Sequence, residues 1–231
     1  VSTSADSDVA ARVAATTARE VLVAAVTGGT PLAGAFVEAA AAANAQGVAT
    51  TAPDSTNAAS ATLAAAVVAD GRVHYANLGD SRVYVIGEDA GQLLSVDDSL
   101  AQAFIEQGMT RAEAESLPRA HAITKWLGRD STEIVPRVGE QDFTGPGWVV
   151  VCSDGLWNYA SSPEELAAQL RDAAADDDPT AVAERLVAWA NARGGKDNIT
   201  VALARVGTTA PKPHSLGDTV PASGEEPPEH G

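Results

Sequence analysis

The run Val149-Val150-Val151-Cys152-Ser153-Asp154-Gly155-Leu156-Trp157 constrains the fold more than any other stretch of the chain. Its apolar, β-branched first half reads as a buried strand. The strand stops abruptly at an acid followed by a glycine, which delivers a carboxylate to the end of a rigid element. An isolated Asp-Gly is most often a turn that caps the next segment. Two further acidic stretches weigh against that bland reading here.

The first is Leu78-Gly79-Asp80-Ser81-Arg82, between the strand-like runs Val73-Asn77 and Val83-Ile86. The second is Gly194-Gly195-Lys196-Asp197-Asn198-Ile199-Thr200, where a glycine-rich turn drops an aspartate ahead of the strand-like run Ile199-Ala204. Asp80, Asp154 and Asp197 therefore lie at strand margins, far apart in sequence. Ligation by carboxylates suits hard, oxygen-seeking ions such as Mg or Mn rather than zinc. Asp154 and Asp197 are expected to converge on one ion, with Asp80 on the rim and contributing less. The competing reading of Asp80 is structural, paired with Arg82 or capping a turn.

In this order, GDSR, CSDGLW and GGKDNIT before a final strand, the chain resembles the PP2C family of metal-dependent serine/threonine protein phosphatases from about Ser60 to Val206. The resemblance implies an α+β fold, a four-layer αββα sandwich of two antiparallel sheets flanked by helices. It implies that Asp154 and Asp197 bind the catalytic metal centre, that Asp80 serves a third, more weakly held ion, and that Arg82 is structural. It implies two Mn or Mg ions and hydrolysis of phosphoserine and phosphothreonine in proteins by a metal-activated water. No phosphoenzyme is required, so neither Ser153 nor Cys152 is expected to be a nucleophile. Phosphorylated proteins are the implied partners.

The sequence departs from the family pattern in two places. The stretch Asp97-Asp98-Ser99 carries Asp98 where relatives usually have a histidine. The family's metal-bridging Asp-Gly pair and an upstream arginine do not occur before the first helix, so the fold is expected to be N-terminally incomplete and this chain a poor catalyst. A catalytically inactive binding or regulatory module is the alternative. The family's variable flap beside the active site corresponds to Gly108 to His121. His121 is read there either as a residue near substrate or as an ordinary surface histidine.

Length and composition bound the remaining classes. The 231 residues fit one domain, and 45% hydrophobic composition supplies a core. Residues 1–206 are assigned to it and 207–231, rich in Pro, Gly, Ser and Glu, to a disordered tail. A formal charge of −16 argues against nucleic acid and anionic membrane surfaces. No apolar run reaches the ~20 residues of a membrane span, and there is no basic-then-apolar leader. A cytoplasmic monomer is the default. The single cysteine, Cys152, reads as a buried thiol.

Local signals place the elements. Ser7-Asp8 opens an amphipathic helix through Val26 with Val9, Val13, Val21, Leu22 and Val26 largely on one face, ended by Gly28-Gly29. Thr30-Pro31 starts a second helix to about Ala45. Thr62-Val68, Arg72-Asn77, Arg82-Ile86 and Gln92-Ser95 read as an antiparallel meander, with Asp70-Gly71 as its first hairpin turn. His74 lies within it as a packed or solvated side chain. Asp97-Asp98-Ser99 and the capping box Thr110-Arg111-Ala112-Glu113 open short helices. Glu133-Val138 and Trp148-Cys152 read as the next strand pair. Ser162-Pro163 and Asp178-Pro179 start helices near Pro163-Ala175 and Pro179-Ala192, with Asp176-Asp177-Asp178 as a solvated cap.

Overall fold

The computed structural model of the protein describes residues 7–52, 54–171 and 178–207. The tail from residue 208 lies outside them, as do Asp176 and Asp177. Two long helices come first, α1 (Ser7–Gly28) and α2 (Leu32–Ala49). Strands β1 (Ser60–Ala61), β2 (Leu63–Ala69), β3 (Arg72–Leu78), β4 (Arg82–Gly87) and β5 (Gly91–Leu93) follow. Next are the short helices α3 (Leu100–Glu106) and α4 (Arg111–Glu115), then β6 (Leu127–Gly128), β7 (Arg137–Asp142) and β8 (Gly147–Cys152). The chain continues through α5 (Asp154–Trp157), α6 (Pro163–Arg171), α7 (Pro179–Ala192) and β9 (Val201–Val206).

Period-2 alternation builds the layers, because successive strand residues point to opposite faces. Val83 and Val85 of β4, Val149 and Val151 of β8, and Val73 and Tyr75 of β3 meet in one cluster between two sheets. On the opposite face, Tyr84, Ile86, Trp148, Val150 and Cys152 pack with Leu166 and Leu170 of α6 and Val182, Leu186 and Ala190 of α7. Leu63, Ala76 and Leu78 pack instead with α1 and α2. Helices, sheet, sheet and helices thus form the expected αββα sandwich.

One sheet has the order β2-β3-β7 and the other β5-β4-β8-β9, with β1-β6 as a separate short ladder. All pairings are antiparallel. The expected meander is therefore wrong: β3 and β4 are consecutive but belong to different sheets. The same holds for β7 and β8, which sequence reasoning paired, and β7 itself begins at Arg137 rather than Glu133. Local signals mark a stretch as a strand, but they do not say which sheet it joins. The Asp70-Gly71 hairpin is as expected, with φ of 51° and 74° at its two central residues.

The buried face of α1 also differs from the expected valine face. It is a stripe of Ala10, Ala14, Ala18, Leu22 and Ala25, whereas Val9 and Val26 are exposed. Ala35, Phe36, Ala39, Ala40 and Ala43 face it from α2. Alanines let the two helices approach closely, and a Cβ at Gly47 would touch both the Ala10 carbonyl and Ala14 Cβ at 3.7 Å. Larger valines on that seam would hold the helices apart. Helix α2 begins at Leu32 with Pro31 as N-cap rather than Thr30, and it continues to Ala49. Helices α4, α6 and α7 carry the anticipated caps: Thr110 with Glu113, Ser162 with Glu165, and Asp178 accepting from the Ala181 N–H. No described helix is long and apolar enough to cross a membrane.

Candidate metal centre

Strand register brings the three acidic stretches to one end of the sandwich. Arg82 pairs with Cys152, and Cys152 pairs with Val201. Asp80 lies two residues before the first of these positions, Asp154 two after the second, and Asp197 four before the third, so three loops leave the same sheet end. Asp80 sits on a crossover between sheets, not on a hairpin within one. The meander from which a rim position was expected for it is therefore absent, and the crossover alone carries Asp80 to this end.

The loops are tied together by short-range contacts. Ser153 N–H donates to the Thr200 carbonyl at 3.1 Å, Thr200 N–H donates to Ser153 Oγ at 3.0 Å, and that hydroxyl donates to the Asn198 carbonyl at 3.0 Å. Gly155 lets the Asp197 loop come this close, since a Cβ there would lie 2.4 Å from the Asn198 carbonyl oxygen. On the other side, Trp157 Nε1 donates to the Asp80 carbonyl at 2.9 Å. Gly79 takes φ of 99°, and a Cβ on it would lie 2.5 Å from Thr62 Cγ2. Its N–H donates to Asp98 Oδ2 at 3.1 Å, and its carbonyl accepts from the Asp98 N–H at 2.8 Å. Asp98 also accepts from Arg137 Nε at 3.0 Å. The departure from the family pattern at this position is therefore a buried clamp on the Asp80 loop.

Beneath the acids lies a buried arginine. Arg82, 4% exposed, donates to Asp97 through Nε at 3.0 Å and Nη2 at 2.7 Å, and to Ser161 Oγ at 2.8 Å. Its guanidinium stacks 3.8 Å from the Trp157 ring centroid. Burial alone would lower its pKa, but the Asp97 hydrogen bond and charge outweigh that and raise it. Arg82 is thus structural, and its partner is Asp97 rather than Asp80.

Asp80 is coupled to Asp154 and Asp154 to Asp197, the charge of Arg82 opposes the shift at Asp80, and none of the three forms an ion pair with a described lysine or arginine. Burial, followed by the charges of Asp154 and Asp97, pushes Asp80 up to about 6. Burial and then the charge of Asp197 raise Asp154, against the opposing hydrogen bond from the Gly155 backbone. Asp197 is exposed, and its Oδ1 accepts from the Asn198 N–H at 2.7 Å. Among the described residues no three His, Cys, Asp or Glu side chains gather as a ready ligand cluster. The arrangement is two adjoining acid pairs that share Asp154. An all-oxygen donor set whose members disfavour each other's charge fits a hard divalent cation, which relieves both repulsions at once.

Two other side chains resolve differently. Burial pushes the Cys152 thiol up to about 12, which leaves it inert as a nucleophile. His121 is exposed, with its ring centroid 6.2 Å from that of Trp157, so the segment after α4 reaches the edge of the acidic end. Sequence reasoning missed the parts played by Trp157, Gly155, Ser153 and Asp98. Gly155 was visible only as a turn residue, and nothing local to Trp157 signals a partner 77 positions away.

A β-sandwich between helical layers, with acid-bearing loops at one end of the sheet, defines a class already implied by the order of the motifs. The chain belongs to the protein phosphatase 2C family, whose family model matches residues 1–191. It is 39% identical over 145 residues to the protein phosphatase PhpP of Streptococcus pneumoniae, an alignment covering 62% of this chain and 56% of that protein. The chain thus spans little more than half the length of the curated relatives it matches. Among solved structures, the PPM Ser-Thr phosphatase MsPP of Mycobacterium smegmatis, in complex with cacodylate, superposes with a TM-score of 0.63 at 31% identity, covering 81% of this chain and 79% of that one. The catalytic domain of the serine threonine protein phosphatase PstP, in complex with 2 manganese ions, superposes with a TM-score of 0.60 at 25% identity, covering 82% and 80%.

Proposed function

We propose that the protein hydrolyses phosphoserine and phosphothreonine in other proteins, with Asp154 and Asp197 holding Mn or Mg and Asp80 contributing from the rim. The observation that supports this most is the run of coupled acids Asp80, Asp154 and Asp197 at one sheet end, where burial and the neighbouring carboxylates outweigh the Arg82 charge on Asp80 and none of the three is in an ion pair with a described lysine or arginine. Left bare, such a group repels a phosphomonoester dianion, so it serves that substrate only through a cation. Mn or Mg bound there supplies a lowered water pKa, alignment for in-line attack and neutralisation of the phosphoryl oxygens. The chain's own residues fix the donors: Ser153 and Gly155 set the Asp197 loop against Asp154, and Trp157 and Asp98 set the Asp80 loop. Phosphorylated proteins are the partners in this reading.

A second reading, a binding module that recognises phosphoproteins without turnover, draws on one observation. The described acids form adjoining pairs rather than a three-donor cluster. Titration of the full chain with Mn by calorimetry, followed by assay on a phosphothreonine peptide, separates the two. Mn binding that is lost in Asp154→Asn and Asp197→Asn, together with Mn-dependent release of phosphate, supports hydrolysis. Binding of Mn and phosphopeptide without release supports the module. Absence of Mn binding sinks the hydrolytic reading.

A further inference from the structure

Trp157 occupies a junction that its motif does not reveal. It ends the short helix that Asp154 begins, so its backbone moves with that acid. Its Nε1 donates to the Asp80 carbonyl at 2.9 Å, one face carries the Arg82 guanidinium at 3.8 Å, and the His121 ring lies 6.2 Å away. The side chain is 4% exposed and packs with Leu156 and Ala160. Packed in this way, it sends one directional bond, and that bond goes to the crossover loop.

We propose that Trp157 is a positioning residue that sets the distance of Asp80 from Asp154, acting through the Asp80 carbonyl. Asp80 lies on a loop between sheets, where no ladder hydrogen bonds define its place. Asp98 anchors the loop at Gly79, on one side of Asp80, and the Trp157 bond anchors Asp80 itself. Arg82, held by Asp97, keeps the indole plane from rotating away. The bond thus ties the acid on the crossover to the acid on α5, and the packed indole holds their spacing.

This inference rests on the metal-dependent reading of the same site, and the experiment separates their failures. Mn affinity is measured by calorimetry for the full chain, for Trp157→Phe, for Asp80→Asn and for the double variant. Phe keeps an aromatic face for Arg82 and removes the donor together with part of the ring volume, a loss of packing that acts in both backgrounds and cancels in the cycle. Trp157→Phe should weaken Mn binding about two- to tenfold, the range a single lost hydrogen bond gives. That loss should vanish in the Asp80→Asn background, because the effect runs through Asp80. A general structural role would weaken Mn binding equally in both backgrounds, and that result overturns the proposal. So does Mn affinity in Trp157→Phe equal to the parent's. If the parent itself binds no Mn, the proposed function fails and this inference with it. Should Trp157→Phe unfold, benzothienylalanine at position 157 keeps the indole shape without the N–H and gives the same comparison.

Discussion

Ser153 and Thr200 hold each other twice: the Ser153 N–H donates to the Thr200 carbonyl at 3.1 Å, and the Thr200 N–H donates to Ser153 Oγ at 3.0 Å. The pair extends the β8 to β9 register by one step past Cys152 and Val201. Asp154 then follows immediately on one strand, and Asp197 precedes on the other. The serine of the CSDGLW motif is thus a fastener between two acid-bearing loops.

Ser153→Ala removes two hydrogen bonds, the one the hydroxyl accepts from the Thr200 N–H and the one it donates to the Asn198 carbonyl, and should cost about 1–3 kcal/mol in urea denaturation. It should also weaken Mn binding while leaving measurable phosphopeptide turnover wherever the parent shows it. Complete loss of turnover with fold and Mn affinity intact would instead make Ser153 a nucleophile.

Gly155→Ala places a methyl 2.4 Å from the Asn198 carbonyl oxygen, a backbone atom that cannot swing aside. Overpacking of this kind costs roughly 1–3 kcal/mol. The Asp197 loop should retreat from Asp154, so the melting temperature and Mn affinity fall together. An unchanged melting temperature would show that the loops do not meet as described.

Asp80 gives the metal-free protein a pH signature. Its folded pKa of about 6 stands above the ordinary value of 3.8. The folded state therefore holds this proton more tightly, a contribution fully present below about pH 4 and lost as pH rises through about 6. The linkage is on the order of 3 kcal/mol at most. In chelator-containing buffer, the stability of the parent relative to Asp80→Asn should decline across that window and stay level above it. Parallel pH profiles of the two proteins would refute the coupling.

Arg82→Leu leaves Asp97, 12% exposed, without its cation. Breaking one side of a buried pair costs about 3–5 kcal/mol. Arg82→Lys should recover part of this, because ammonium keeps the charge but loses the two-pronged bond to Asp97 and the stack on Trp157. Urea denaturation of the three proteins checks the order, and a loss below about 0.5 kcal/mol in Arg82→Leu would contradict it.

Addition of Mn should raise the melting temperature of the parent, with stability growing as the logarithm of free Mn once Kd is exceeded. Saturation at a hundred times Kd stabilises by about 2.7 kcal/mol. Asp154→Asn should abolish the rise, since Asp154 is the acid common to both pairs. A rise of equal size in Asp154→Asn would move the site elsewhere.

Much of the architecture was legible in residues next to one another. Apolar, β-branched runs at Val83-Ile86 and Val149-Cys152 marked strands, Asp70-Gly71 marked a turn with positive φ at both positions, and Thr110 and Asp178 marked helix starts. These signals are local because backbone sterics and capping bonds act over a few residues. The order of the GDSR, CSDGLW and GGKDNIT motifs pointed to the family, and with it to the layers.

What the tertiary structure alone decided is which partner each element takes. The alternation that made β3 and β4 strands is the same whether they pair or part, and only packing sends Val73 and Val83 into one layer from opposite sheets. The apolar face of α1 was ambiguous for the same reason: valine is the more hydrophobic choice, but the close seam with α2 is built mainly of alanine, with Leu22 and Phe36 among them. Gly155 answers to Asn198, Gly79 to Asp98, and Trp157 to Asp80. Each of these contacts joins residues far apart in the chain, and close packing, unlike backbone propensity, leaves no trace in the residues beside them.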